Sequence, residues 1–186
     1  MPRVASHPDW PSVTEILQSC GLTRDYTNVP ERYRLRGTAM HEAIAMYLDG
    51  LAVDDLAPEL QPGMDAFRDF EVKEGYVSLH SELALVHPYG FVGHLDLVGE
   101  LKGLAILDAK YSESPDLKAA ALQLAGYRLL WDVQRQSVGG AKQCYVLQLS
   151  PKFGTYKLHP VADAQSELVF LAALTVHQAK EKRPRG

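Results

Sequence analysis

The sequence has only two cysteines, Cys20 and Cys144, which lie far apart and form no CxxC pair. This scarcity argues against a zinc ribbon or an iron–sulfur cluster and favours a reducing compartment. No apolar run approaches the roughly 20 residues that a membrane-spanning helix needs. The first residues also lack the apolar core of a secretory signal. We therefore expect a cytoplasmic protein without a membrane partner.

Charge and size restrict the possible functions less strongly. The formal net charge of −4 does not favour non-specific nucleic-acid binding, but it does not exclude such binding either, because metal sites concentrate acidic residues. With 186 residues, 46% of them hydrophobic, the chain can bury a sizeable core. No internal repeat or low-complexity segment divides it. We expect one domain over residues 1–186, with a basic, flexible tail at 180–186.

The order of helix and strand signals predicts an α/β fold. Helices are expected over residues 11–22, 38–50, 61–74, 116–136 and 162–180. Strands are expected over residues 76–87, 91–101, 104–111, 143–150 and 154–161. A polar segment rich in arginine and tyrosine, residues 23–37, precedes the second helix. This order favours a mixed sheet with helices packed on its faces.

Charged residues interrupt two apolar strands between Gly93 and Tyr111. Asp96 lies in the first strand, and Asp108 and Lys110 lie two apart in the second, so that both leave one face. If Glu100 pairs with Leu104 across a loop at 101–103, Asp96 stands opposite Asp108, and Gly103 takes the left-handed position. Burying carboxylates costs several kcal/mol unless a cation compensates. The pattern predicts a divalent cation, although a solvated hairpin with Lys110 paired to one aspartate has the same spacing.

Four short motifs occur in order along the predicted elements. They are GTAMH at 37–41, GHLDLVG at 93–99, LDAKY at 107–111 and QLAGY at 123–127. This order resembles the PD-(D/E)XK nuclease superfamily and, within it, the RecB-type exonuclease branch. The opening PSVTEIL at 11–17 is similar to the start of phage and mitochondrial members. The resemblance implies the cytoplasm of a bacterial or phage-infected cell. The resemblance implies a restriction-endonuclease-like core, with a mixed central sheet flanked by helices on both faces.

The resemblance also implies a metal-dependent site. His41, Asp96, Asp108 and the backbone carbonyl of Ala109 would hold Mg²⁺ or Mn²⁺. Catalytic roles would fall to Asp96 and Asp108, to Lys110 near the attacking water, and to Gln123 and Tyr127, which would orient Lys110 or the substrate backbone. Glu82 is a possible additional ligand, although a solvated strand face suits it equally. Some relatives add a four-cysteine iron–sulfur staple, which two cysteines cannot build, so we expect no cluster.

The segment before the second helix is a candidate nucleic-acid surface. Arginines and tyrosines alternate there, a pattern that suits phosphate contacts and base stacking on an unpaired strand; they are Tyr26, Arg32, Tyr33, Arg34 and Arg36. We expect a flexible cationic flap that closes over the strand. A solvated turn explains the same composition. His41 taken alone is more typical of a partly buried structural histidine than of a metal ligand.

Several functions remain open from the sequence. The first is a DNA exonuclease acting on single strands or ends in phage biology, repair or recombination. The alternatives are a structure-selective endonuclease, a binding module that has lost catalysis, or a metal protein unrelated to nucleic acids. Intact Asp96, Asp108 and Lys110 argue against lost catalysis. No GxxxxGK[ST] motif is present, so a helicase or recombination partner would be a separate chain.

Overall fold

The computed structural model describes residues 9–23, 30–53, 55–134, 140, 143–161 and 164–181. Its helices are α1 (Val13–Ser19), α2 (Glu31–Leu48), α3 (Gln61–Glu74), α4 (Leu117–Gln134) and α5 (Ala164–Glu181). Its strands are β1 (Val77–His87), β2 (Phe91–Glu100), β3 (Leu104–Tyr111), β4 (Gln143–Leu149) and β5 (Tyr156–Pro160). Within these ranges, none of the helices has both the length and the apolar character to cross a membrane.

The five strands form one mixed sheet in chain order, β1-β2-β3-β4-β5. Strands β1, β2 and β3 make an antiparallel meander, and β4 and β5 are also antiparallel. Strands β3 and β4 are parallel, because helix α4 carries the chain back across the sheet between them. The predicted mixed sheet is therefore confirmed.

Alternate residues of the central strands feed two separate cores. Ile106 of β3 packs into a cluster with α1, α4 and α5, where Trp131 and Phe170 are fully buried. Its neighbours Ala105 and Leu107 point to the opposite face and pack against α2 and α3. Helices thus cover both faces of the sheet, which confirms the predicted fold class.

Local signals mark the helix ends. Ser12 caps α1 and accepts a hydrogen bond from the Glu15 N–H, and the Glu15 carboxylate accepts one from the Ser12 N–H. Asp116 caps α4 by accepting a hydrogen bond from the Ala119 N–H over 3.1 Å. Helix α3 ends at Gly75, whose φ of 65° closes the last turn. These boundaries follow the sequence prediction.

The start of α2 differs from the prediction. We expected a flexible segment up to residue 37, but the helix begins at Glu31, directly after Pro30. Most side chains of its first two turns are exposed, so no apolar period reveals the helix in the sequence. The remaining signals were the proline at the helix start and the acidic residue in its first turn. Arg32, Arg34 and Arg36 therefore lie on a helix and not on a flap.

The hairpin between β2 and β3 has the predicted register and loop. Glu100 pairs with Leu104, and the register continues to Leu97 and Leu107. Two loop residues, rather than Gly103 alone, take a positive φ, with Lys102 at 53° and Gly103 at 121°.

Candidate metal and catalytic site

The candidate site lies where β2 and β3 separate. The last paired residues are Leu97 and Leu107, and Asp96 and Asp108 are the next residues along the two strands. The two aspartates therefore occupy opposite positions, as expected. At this point a side chain replaces the backbone hydrogen bond between the strands, because Asp96 Oδ2 accepts a hydrogen bond from the Ala109 N–H over 2.8 Å. This contact fixes a buried carboxylate beside β3.

Asp108 is the most deeply buried charged residue of the site, with 0% of the residue exposed. Its Oδ1 accepts a hydrogen bond from Lys110 Nζ over 2.9 Å, which confirms that both side chains share one face. Its Oδ2 also lies 2.9 Å from Lys110 Nζ, so the ammonium pairs with both carboxylate oxygens. Two further carboxylates, Glu82 and Asp96, lie near this pair with one histidine between them. Three carboxylates thus face one lysine and one histidine, and such a donor set fits a cation.

His41 reaches the same point from α2. Its Nε2 donates a hydrogen bond to the carbonyl oxygen of Ala109 over 2.9 Å. Its Nδ1 lies 3.5 Å from Glu82 Oε1 and 3.7 Å from Asp96 Oδ1. One ligand atom from each of His41, Glu82 and Asp96 lies within 4.8 Å of the other two. One imidazole and two carboxylates at this spacing can share a divalent ion.

Glu82 takes an unusual backbone conformation to reach the cluster. Its neighbours pair as Ser81 with Leu97 and Leu83 with Leu95, so Glu82 stands opposite Asp96. Its φ is 47°, a left-handed value that costs a non-glycine residue about 1–3 kcal/mol. The side chain is 42% exposed, so it opens toward solvent while its Oε1 approaches His41. Strain of this kind concentrates at ligand sites, so it favours the prediction that Glu82 is a ligand over a solvated strand face.

The acidic residues change the protonation of the site. Burial lowers the pKa of His41, but the negative charge of Asp96, the contact with Glu82 and the charge of Asp108 outweigh it and raise the pKa to about 9. Burial raises the pKa of Asp96. The positive charge of His41 lowers that pKa in part, and the negative charge of Asp108 raises it further. Without a metal, protonated His41 therefore serves as the counter-charge that the carboxylates need.

A row of hydrogen bonds links Lys110 to α4. Lys110 Nζ donates to Gln123 Oε1 over 3.3 Å, and Gln123 Nε2 donates to the Tyr127 hydroxyl over 2.6 Å. Burial raises the pKa of Tyr127 well above its usual range, as do the nearby charges of Asp96 and Asp108. Tyr127 therefore stays neutral and holds Gln123, which in turn fixes the position of the Lys110 ammonium.

An open cleft of about 1060 Å³ borders these residues. His41, Ala109, Lys110 and Gln123 line it on one side, and Tyr33, Arg34 and Arg36 of α2 line it as well. The sequence prediction missed part of the wall, namely the segment 112–117 after β3 and Lys118 of α4. The available signal was their place after a parallel strand, because ligands of α/β sheets bind beyond the carboxyl ends of such strands.

The predicted nucleic-acid residues separate into distinct positions. Arg36 lies between two rings, with its guanidinium carbon 5.3 Å from the centroid of Tyr33 and 5.2 Å from that of Tyr111. Arg32 contacts the Tyr33 ring and donates to its hydroxyl, but it does not line the cleft. Arg34 lines the cleft. Tyr26 lies outside the described residues.

Comparisons with known proteins identify the fold. No protein-family model matches the sequence, and no curated protein matches it. Among solved structures, a putative exonuclease from Eubacterium rectale is similar, with a TM-score of 0.55 and 11% identity over 89% of this chain and 71% of that one. LHK-Exo in complex with dAMP is similar with a TM-score of 0.51 and 13% identity, over 92% of this chain and 87% of that one. LHK-Exo is an alkaline exonuclease from Laribacter hongkongensis.

The chain thus has the fold of the PD-(D/E)XK nucleases, as its motifs predicted. At such identities the likeness shows the fold alone, so the narrower assignment to the RecB-type branch stays a prediction. The functional argument rests on the site itself.

Proposed function

We propose that this protein is a metal-dependent deoxyribonuclease that hydrolyses phosphodiester bonds of single strands or of DNA ends. One observation carries the proposal: a ligand atom from each of His41, Glu82 and Asp96 lies within 4.8 Å of the other two, beside the Asp108–Lys110 ion pair and at the edge of a cleft lined by arginines. An ion pair between Asp108 and Lys110 does not account for the two further carboxylates. A site that binds a cation and a phosphate accounts for them.

The donor set favours a hard divalent cation. Asp96, Asp108 and the Ala109 carbonyl oxygen offer oxygen ligands, which suit Mg²⁺ or Mn²⁺, while His41 shifts the preference toward Mn²⁺. Glu82 would add a third carboxylate. When bound, such a cation lowers the pKa of a water molecule and offsets negative charge on the phosphate.

Lys110 supplies the positive charge that the protein itself brings to the reaction. Its Nζ is held between Asp108 Oδ1 at 2.9 Å and Gln123 Oε1 at 3.3 Å, so it is fixed before substrate arrives. An ammonium held in place stabilises the negative charge that develops on the phosphate without reorganising during the reaction. Gln123 and Tyr127 act through Lys110 as positioning residues.

The cleft suits the backbone of a nucleic acid strand. Arg34 and Arg36 line it from α2, and Lys118 lines it from α4. Cationic side chains along a groove bind phosphates without regard to base sequence. The LHK-Exo structure contains dAMP, and a nucleotide substrate for this chain agrees with that similarity.

The test uses end-labelled DNA, as linear and circular single strands and as linear duplex, incubated with Mg²⁺, Mn²⁺ or EDTA. We expect degradation of linear DNA with either metal and none with EDTA. Asp69→Asn is the matched control for a site variant, because Asp69 lies on α3 and pairs with Lys73. Undiminished cleavage in EDTA, or no cleavage of any DNA with either metal, would contradict the proposal.

The structure of α2 strengthens the case for the endonuclease alternative. Because Arg32, Arg34 and Arg36 lie on a helix, the argument that a flexible flap encloses a strand loses its basis. The circular substrate separates the two modes. Resistance of the circle supports an exonuclease that needs a free end, and rapid cleavage of the circle supports an endonuclease.

A further inference from the structure

The turn between β4 and β5 displays an aromatic ring beside the cleft. Phe153 lies on this turn and is 64% exposed. Pro151, two residues earlier, lines the cleft, as does Glu113, which contacts the turn. A large apolar side chain therefore points into solvent next to the proposed path of a DNA strand.

Hydrogen bonds hold the backbone of this turn in place. The Phe153 N–H donates to Ser150 Oγ over 2.9 Å, and Ser150 Oγ donates to Glu113 Oε1 over 2.6 Å. The Lys152 N–H donates to the same carboxylate oxygen over 3.0 Å. Gly154 closes the turn at a φ of 60°. The ring is thus presented from an ordered backbone, so binding a partner does not require ordering the loop.

The same network connects the turn to the proposed catalytic strand. Gln148 of β4 donates from Nε2 to the carbonyl oxygens of Ser112 and Glu113 over 3.0 and 2.9 Å. Gln148 is also the parallel partner of Lys110 on β3. The segment after β3 is therefore fixed by β4, and through Glu113 it fixes the turn. The backbone at Phe153 is therefore connected to the segment that follows Lys110.

Phe153 and Lys152 combine the two groups that recognise an unpaired nucleotide. The Lys152 ammonium lies 4.8 Å from the centroid of the Phe153 ring and covers one face of it. The exposed remainder of the ring can stack on a base, and the ammonium can contact the adjoining phosphate. Every base has a face that stacks, so this contact does not select a sequence.

We propose that Phe153 is a base-stacking site for an unpaired nucleotide of the strand whose phosphodiester backbone enters the cleft, with Lys152 beside that nucleotide's phosphate. This inference rests on the proposed nuclease function and adds a second contact to it, outside the metal cluster. It predicts that single strands long enough to reach from Lys110 to the turn bind more tightly than very short ones.

The test compares Phe153→Ala and Phe153→Trp with Tyr89→Ala, in Ca²⁺ and without turnover. Tyr89 is a matched control, because it is 61% exposed on the β1–β2 turn, which contributes no residue to the cleft, whereas the β4–β5 turn contributes Pro151. Binding is followed through an oligonucleotide that carries the fluorescent base 2-aminopurine at successive positions. We expect Phe153→Ala to weaken binding of single-stranded DNA roughly tenfold and to remove the fluorescence change at one position. Phe153→Trp should retain both, and Tyr89→Ala should match the original protein.

Two outcomes would overturn the inference. One is unchanged single-strand affinity in Phe153→Ala, and the other is an equal loss on a blunt duplex, which offers no unpaired base. Hydrolysis of bis(p-nitrophenyl) phosphate, which is too small to reach the turn, separates this failure from failure of the nuclease proposal. If the original protein does not hydrolyse this compound, the nuclease proposal is contradicted. If Phe153→Ala and the original protein hydrolyse it equally, the loss of DNA binding in Phe153→Ala is assigned to the turn.

Discussion

The Nε2 of His41 donates a hydrogen bond over 2.9 Å to the carbonyl oxygen of Ala109, which lies 68 residues later in the chain. Because the proton of this hydrogen bond lies between the two atoms, His41 would have to lose a proton before this nitrogen and this oxygen could hold one cation. On its other side, His41 Nδ1 faces Glu82 and Asp96, so either nitrogen of the ring has oxygen ligands beside it.

His41→Ala should weaken metal binding more than DNA binding, because the acidic ligands remain but the imidazole is lost. We expect the Mn²⁺ concentration that gives half-maximal cleavage to rise at least tenfold, with partial rescue by excess Mn²⁺. His94→Ala is the control, because His94 is exposed on β2 and outside the metal cluster. An unchanged Mn²⁺ midpoint in His41→Ala would make His41 a structural residue.

Glu82→Gly should stabilise the metal-free protein while it weakens metal binding. Glycine removes the strain of the φ of 47°, about 1–3 kcal/mol, at an entropic cost of about 0.5–1 kcal/mol. We expect the free energy of unfolding to rise by ~1 kcal/mol. Glu82→Gln keeps the strain and removes only the charge, so it should weaken metal binding without the backbone gain. Normal metal affinity in both variants would show that Glu82 is not a ligand.

Metal binding should release a proton from His41. In the metal-free protein the pKa of His41 is raised to about 9, so the ring is protonated at pH 7, and a cation must displace that proton. The affinity for Mg²⁺ should therefore rise by up to about tenfold per pH unit between pH 7 and 9 and level off above. Calorimetry in two buffers of different ionisation enthalpy measures the proton release. A flat affinity across this range, or the same pH dependence in His41→Ala, would contradict the assignment.

The sequence predicted the strands, the hairpin register and the face shared by Asp108 and Lys110, because local alternation and turn length determine these features. It did not predict the start of α2 at Glu31, since the first turns carry almost no buried apolar residue. It left the role of Glu82 undecided, because the side chain reaches the cluster through a positive φ, which the residue type does not predict. The complete burial of Asp108 likewise follows only from tertiary packing.

The arginines of α2 should differ in their effect on DNA. Arg34 and Arg36 line the cleft and Arg32 does not. We expect Arg34→Ala and Arg36→Ala each to raise KM and to reduce the salt dependence of DNA binding by about one phosphate contact. Arg32→Ala serves as the matched control with a smaller effect, and metal affinity should stay constant in all three. An equal loss from all three variants would indicate long-range attraction and not contacts in the cleft.

The central claim is that Asp108 and Lys110 form a metal-dependent hydrolytic centre. The most direct measurement is the single-turnover cleavage rate of end-labelled DNA in saturating Mg²⁺, for Asp108→Asn and for the control Asp69→Asn, after thermal unfolding has shown both to be folded. The account predicts a loss of about 10²-fold or more in Asp108→Asn, because a ligand charge and the partner of Lys110 are removed together. Asp69→Asn should keep the original rate. A folded Asp108→Asn variant that cleaves at the original rate would contradict the account.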